Sequence, residues 1–192
     1  VSAVLALVLG IVSATMGKAV DAAVTFCIDL VMGVPHILLL LLISVALGKG
    51  LRGVIVGVAL THWPSLARLI RAEVIQLKES PYIRIAEKLG KSKWYIARKH
   101  LLPHLLPQFV VGLVLLFPHA ILHESSITFL GFGLSTEQPA IGIVLSEAMK
   151  YLVTGEWWLA LFPGLLLVIV VILFYVAGES LQKLMNPGSV HE

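Results

Sequence analysis

The chain has 192 residues, 58% hydrophobic and only 13% charged, with a net charge of +3 and a mean hydropathy of +0.97. A soluble domain carries roughly 25% charged residues, so an ordinary water-soluble domain is excluded and membrane spans of about 20 mostly apolar residues each are predicted. No zinc-finger or RNA-binding pattern accompanies the basic excess, which therefore points to positively charged cytoplasmic loops and away from nucleic acid.

Five apolar segments follow in chain order. The first runs from about Val1 to Met16. The second runs from Ala23 to Leu47 and is interrupted by Asp29 and Pro35. The third runs from Leu51 to Ile75, the fourth from Leu105 to Leu122, and the fifth from Trp157 to Ala177. Cys27, the single cysteine, lies in an apolar run and offers neither an internal disulfide nor a metal spacing. Gly53/Gly57, Gly10/Ala14 and Ser13/Gly17 have the small-xxx-small spacing that favours close helix contact. Asp21 is expected at a membrane interface near Lys18, and Asp29, deeper in its segment, needs a partner.

Between the third and fourth segments lies a basic loop. Lys78, Arg84, Lys88, Lys91, Lys93, Arg98 and Lys99 stand against Glu79 and Glu87, which places this loop in the cytoplasm by the positive-inside rule. Alternation then puts the tail after Ala177 inside and Val1 outside. An outside start predicts one further span ahead of Val1. The stretch from Glu124 to Glu156 contains FLGFGLSTEQPAIG and reads as an extracytoplasmic or re-entrant region, too broken for a spanning helix. Trp157 and Trp158 fit an interfacial aromatic belt.

Within the basic loop, Gly90-Lys91-Ser92 has the look of half a phosphate-binding loop. A full P-loop needs a glycine five residues before Gly90, after a strand. That position is Ile85, and the context is helical. A helix-turn-helix is predicted instead: Pro81 starts the first helix, Gly90 ends it and Ser92 caps the second. Ile83, Ala86 and Leu89 form the apolar face of the first helix, and the second presents Trp94, Ile96 and Ala97. Such a pair either lies on lipid or docks in a partner's groove.

The run of Tyr82, Ala86, Gly90, Ile96, His100 and Leu102-Pro103 resembles the coupling-loop signature of the permeases of ATP-binding-cassette importers. LTHWPSLARLIRAEVIQLKE before it, and ESSITFLGFGLSTEQPAIGIVLSEAMKYL and WWLALFPGLLLV after it, resemble the peptide/nickel members. The resemblance covers nearly the whole chain. It implies an all-α polytopic fold of the type I importer permease kind, with six spans in the family and about five here. The transmembrane domain would occupy residues 1–178, the coupling loop about 78–104 and a cytoplasmic tail 179–192. Arg84, Ile85, Ala86, Gly90, Ile96, Leu102 and Pro103 would couple to the ATPase. Arg84 stands where the family often has an acid, and Ile85 replaces an alanine. The implied partners are a homologous second permease, two ATP-binding subunits and an extracytoplasmic substrate-binding protein, in a bacterial inner membrane. This chain would bind no cofactor or nucleotide and would hydrolyse nothing itself.

Seven histidines are present. His119 and His123 are four apart on one helix face, with Glu124 beside them, and His62 sits in the third segment. Two histidines at that spacing suit a transition metal. As a transport-path set, His62, His119, His123 and Glu124 tilt the cargo toward nickel or a metal chelate, with a di- or oligopeptide as the alternative. An intramembrane hydrolase is the remote rival. It lacks G-x-S-x-G and H-E-x-x-H, and Ser125-Ser126 after His123-Glu124 form no dyad.

Overall fold

The computed structural model describes residues 1–185. Residues 186–192, and with them His191 and the end of the expected tail, lie outside the described residues. The elements among the described residues are helices, in the order α1 (Ser2–Thr15), α2 (Lys18–Gly33), α3 (His36–Ala46), α4 (Gly50–Thr61), α5 (Trp63–Lys78), α6 (Pro81–Lys88) and α7 (Lys93–Ile96). A π-helix over Ala97–Leu101 leads into α8 (Leu102–Phe129). Then come α9 (Ile141–Ala148), a 3-10 helix over Met149–Thr154 and α10 (Trp158–Met185). The chain divides into two compact units, one of residues 1–33, 62–113 and 179 onward, the other of residues 34–61 and 114–178.

Among the described residues, three stretches are long and apolar enough to cross a membrane: Gly50–Lys78, Lys93–Phe129 and Trp158–Met185. Counting Lys18–Gly33 with His36–Ala46 as one broken span makes four. The five expected apolar segments correspond to these three stretches, to the broken pair and to the shorter apolar helix α1. The second apolar segment is two helices, because Pro35 cannot continue a helix and disfavours the helical conformation of the residue before it. The first is the 14-residue apolar helix α1.

In the first unit, α1 packs on α5 through small residues. Its buried positions are Ala3, Ala6, Gly10 and Ser13, spaced three or four apart on one face. Gly10 is the point of closest approach: a Cβ there would lie 2.8 Å from the Ile70 Cβ and 2.9 Å from the Ala67 carbonyl oxygen. The facing stripe on α5 is Trp63, Leu66, Ala67, Ile70, Val74 and Leu77. Gly17, paired with Ser13 in the sequence reading, does not pack; it turns the chain at φ +104° with nothing near it.

The acids find partners here. Arg71 donates to both carboxylate oxygens of Asp21 at 2.6 and 2.7 Å, and the Ser13 hydroxyl donates to Oδ1 at 2.5 Å. Arg68 pairs with Asp29 at 2.7 Å. Asp21 thus binds Arg71 on α5, fifty residues away, and this network ties α1 and α2 to α5.

In the second unit, α3 and α4 form a hairpin whose core is Leu40, Val54 and Ile127, flanked by Leu41, Val58 and Leu134. Gly53 and Gly57 face Ser44 and Leu40 closely, as their spacing predicts. Trp157 and Trp158 are exposed at the start of α10, in edge-to-face contact at 5.9 Å.

Candidate coupling site and transport path

The basic loop is built as a helix, a tight turn and a second helix. Pro81 occupies the first turn of α6 after Ser80, whose backbone is extended, where a missing N–H costs nothing. The Ser80 hydroxyl donates to the Leu77 carbonyl of α5. At the other end, Gly90 sits at φ +74°. Its N–H bonds the Glu87 carbonyl at 2.9 Å, and the Lys91 N–H bonds the Ala86 carbonyl at 3.1 Å. This is a Schellman ending, which calls for glycine at that position. The Ser92 hydroxyl accepts from the Tyr95 N–H at 3.2 Å and caps α7. The GKS tripeptide is therefore a helix ending and a helix cap.

The two faces of this module differ from the sequence expectation. Ile83, Ala86, Ile96 and Leu101 are buried within the protein itself. Ile83, Ala86 and Ile96 are thus supports, not an outward surface. The exposed apolar positions are Tyr82, Ile85, Leu89 (71%), Trp94 (74%) and Tyr95. Tyr82, Ile85 and Leu89 are three and four apart and share one face of α6. Of the expected stripe Ile83, Ala86 and Leu89, the first two are buried and Leu89 is exposed beside Ile85. Arg84 pairs with the exposed Glu79, so its charge is answered locally. Leu102 and Pro103 open α8, with Pro103 exposed.

Beside the module is a polar cavity of about 230 Å³ within the first unit. Glu73, His104, Gln108 and Gln182 supply its polar groups, with Pro103 and Pro107 among its walls.

The expected transport-path residues lie as follows. His62 is buried and precedes α5 in the first unit. His119 is exposed on α8. Glu124 accepts from the Thr128 hydroxyl at 2.8 Å and from Ser125 at 3.3 Å, so its carboxylate is engaged by its own helix. Within the second unit His123 stacks on His36, with ring centroids 4.3 Å apart, and His36 Nε2 lies 3.3 Å from the Thr61 hydroxyl. His36 is not among the transport-path residues expected from the sequence. Its partners are 25 and 87 positions away, and no local pattern points to them.

The glycine-rich stretch after α8 is a built turn. Helix α8 continues to Phe129, beyond the expected limit near Leu122: no glycine or proline lies between Leu122 and Gly131, and the Ser126 and Thr128 hydroxyls bond back to Leu122 and Glu124. The turn is then pinned to the α3–α4 hairpin. The Ser44 hydroxyl donates to the Phe132 carbonyl at 2.6 Å, and the Gly50 N–H donates to the Gly133 carbonyl at 2.9 Å. The Lys49 ammonium lies 4.7 Å over the Phe132 ring. Buried backbone polar groups need such partners, and in a bilayer they must come from protein.

The chain matches a known family, the binding-protein-dependent transport system inner membrane component, over residues 6–190. The chain belongs to this family. It is an all-α, multi-pass inner membrane protein. It is 30% identical over 178 residues to the dipeptide transport system permease protein of Bacillus subtilis, covering 93% of this chain and 56% of that protein. It is 31% identical over 179 residues to the protein of the same name in Alkalihalophilus pseudofirmus, covering 93% and 59%. It is 33% identical over 186 residues to a Brucella suis protein named as a peptide transport system permease, covering 97% and 62%. The chain thus spans about three fifths of the length of these relatives.

Proposed function

We propose that this chain is part of the permease subunit of an ATP-driven importer of di- or oligopeptides. The observation that carries the reading is the family match along residues 6–190; the peptide names of the relatives support the cargo. The tilt toward nickel rested on His62, His119, His123 and Glu124. Glu124 is engaged by Thr128 and Ser125 and His119 is exposed, so that set no longer favours a metal over a peptide.

In this reading the chain catalyses no reaction and carries no cofactor. Two ATP-binding subunits hydrolyse ATP, a second permease completes the path, and an extracytoplasmic binding protein delivers the peptide. The α6–Gly90–α7 module docks on the ATPase through Tyr82, Ile85, Leu89 and Trp94. ATP-driven closure of the ATPase moves it as one piece, because Ile83, Ala86 and Ile96 anchor it to its own unit. The Ser80 link to Leu77 passes the displacement to α5, and the π-helix passes it to α8. A rigid-body switch of this kind requires a firmly held short element.

The test is uptake of a radiolabelled dipeptide, and in parallel of nickel, in cells expressing the full-length chain with its partners. Gly90→Val should abolish dipeptide uptake while the protein still reaches the membrane. Retained dipeptide uptake in that variant would overturn the coupling reading, and uptake of nickel alone would overturn the cargo.

A further inference from the structure

The join between α7 and α8 is a π-helix. The Leu102 N–H bonds the Ala97 carbonyl, five residues back. The sequence supplies a cause. Pro103 has no N–H for the Lys99 carbonyl, and in a continuous α-helix its ring would crowd that carbonyl. The wider turn relieves the clash, and such turns recur at functional sites.

The wider turn has a second effect. In an α-helix, residues five apart point about 140° away from one another at 100° per residue. The i→i+5 bonding adds one residue to the turn, and so brings Tyr95 and His100 onto one face. Their ring centroids are 5.9 Å apart at 65°, an edge-to-face contact. On its other side His100 meets Tyr82 of α6 at 6.0 Å and 54°. The Lys91 ammonium caps the row, 5.2 Å over the Tyr95 ring. One imidazole, carried on the π-helix that leads into α8, therefore meets both α6 and α7.

We infer that His100 is a positioning residue: an aromatic clamp, set by the π-turn, that locks the α6–α7 module to the start of α8 so that motion of the module is delivered to that helix. This rests on the coupling reading above. The imidazole acts through its ring contacts and touches neither nucleotide nor cargo.

The experiment uses the full-length chain assembled with its partners. His100→Ala should cut peptide uptake about tenfold, the loss of two aromatic contacts, while ATP hydrolysis by the assembled complex continues without driving transport. His100→Phe keeps a ring and should restore uptake to within about twofold of wild type, at the level of one retained aromatic contact. Trypsin digestion of inside-out vesicles gives a readout independent of transport. A loosened module should be cut faster between Lys88 and Lys93 in His100→Ala and in Tyr95→Ala, and at the wild-type rate in His100→Phe. Full uptake and unchanged cleavage in His100→Ala would overturn the clamp, as would failure of His100→Phe to restore either. Gly90→Val separates the two ideas. If it abolishes uptake while His100→Ala transports normally, the clamp alone is wrong; if it transports normally, the coupling reading falls and the clamp with it.

Discussion

At residue scale, three positions carry specific costs. Gly90 holds a left-handed conformation that a β-branched side chain adopts only at about 1–2 kcal/mol, so Gly90→Val distorts the turn between α6 and α7. Gly10 is tight for a different reason. Its neighbours Ile70 and the Ala67 backbone leave no room for a Cβ, and Gly10→Val should destabilise the α1–α5 contact by about 1–3 kcal/mol through overpacking. Thermal unfolding of the detergent-solubilised protein measures this, and an unchanged midpoint would contradict the packing described. Asp21 joins Ser13 and Arg71 in a half-buried network. Asp21→Ala leaves the Arg71 guanidinium without its bidentate partner and should cost about 2 kcal/mol in the same assay.

At element scale, the pinned turn after α8 makes its own prediction. Ser44→Ala removes the donor to the Phe132 carbonyl, a loss of about 1 kcal/mol. Amide exchange at Gly50, whose N–H is bonded to Gly133, should then rise by roughly fivefold. Exchange at the wild-type rate would show that the turn is held by other contacts. The elements differ in how far the sequence disclosed them. Pro81, Gly90 and Ser92 announced the start, end and cap of the coupling helices, because each acts on its immediate neighbours. Tyr82, Ile85 and Leu89 were as regularly spaced as Ile83 and Ala86, and only the surrounding helices decide which stripe is buried. The Ser44–Phe132 bond and the His36–His123 stack join residues 88 and 87 positions apart. No local propensity encodes such pairs. The π-turn has a local cause in Pro103, which the sequence reading assigns to the coupling signature.

At the scale of the whole molecule, composition alone predicted a polytopic helical membrane protein, and the family match agrees. Pro35 marks the break in the second segment, where the backbone separates α2 from α3. Cargo was the least legible property. Histidines at metal-ligand spacing carried the reading toward nickel, yet spacing does not say what each side chain bonds.

The central claim is that the outward face of α6 meets the ATP-binding subunit. A photo-crosslinking residue at Leu89, in the full-length chain co-expressed with its partners, tests it most directly. The account predicts an adduct with the ATP-binding subunit from Leu89, and none from Ile83, whose side chain is buried. An adduct from Ile83 with none from Leu89, or no ATPase adduct from either position in an assembled complex, would contradict it.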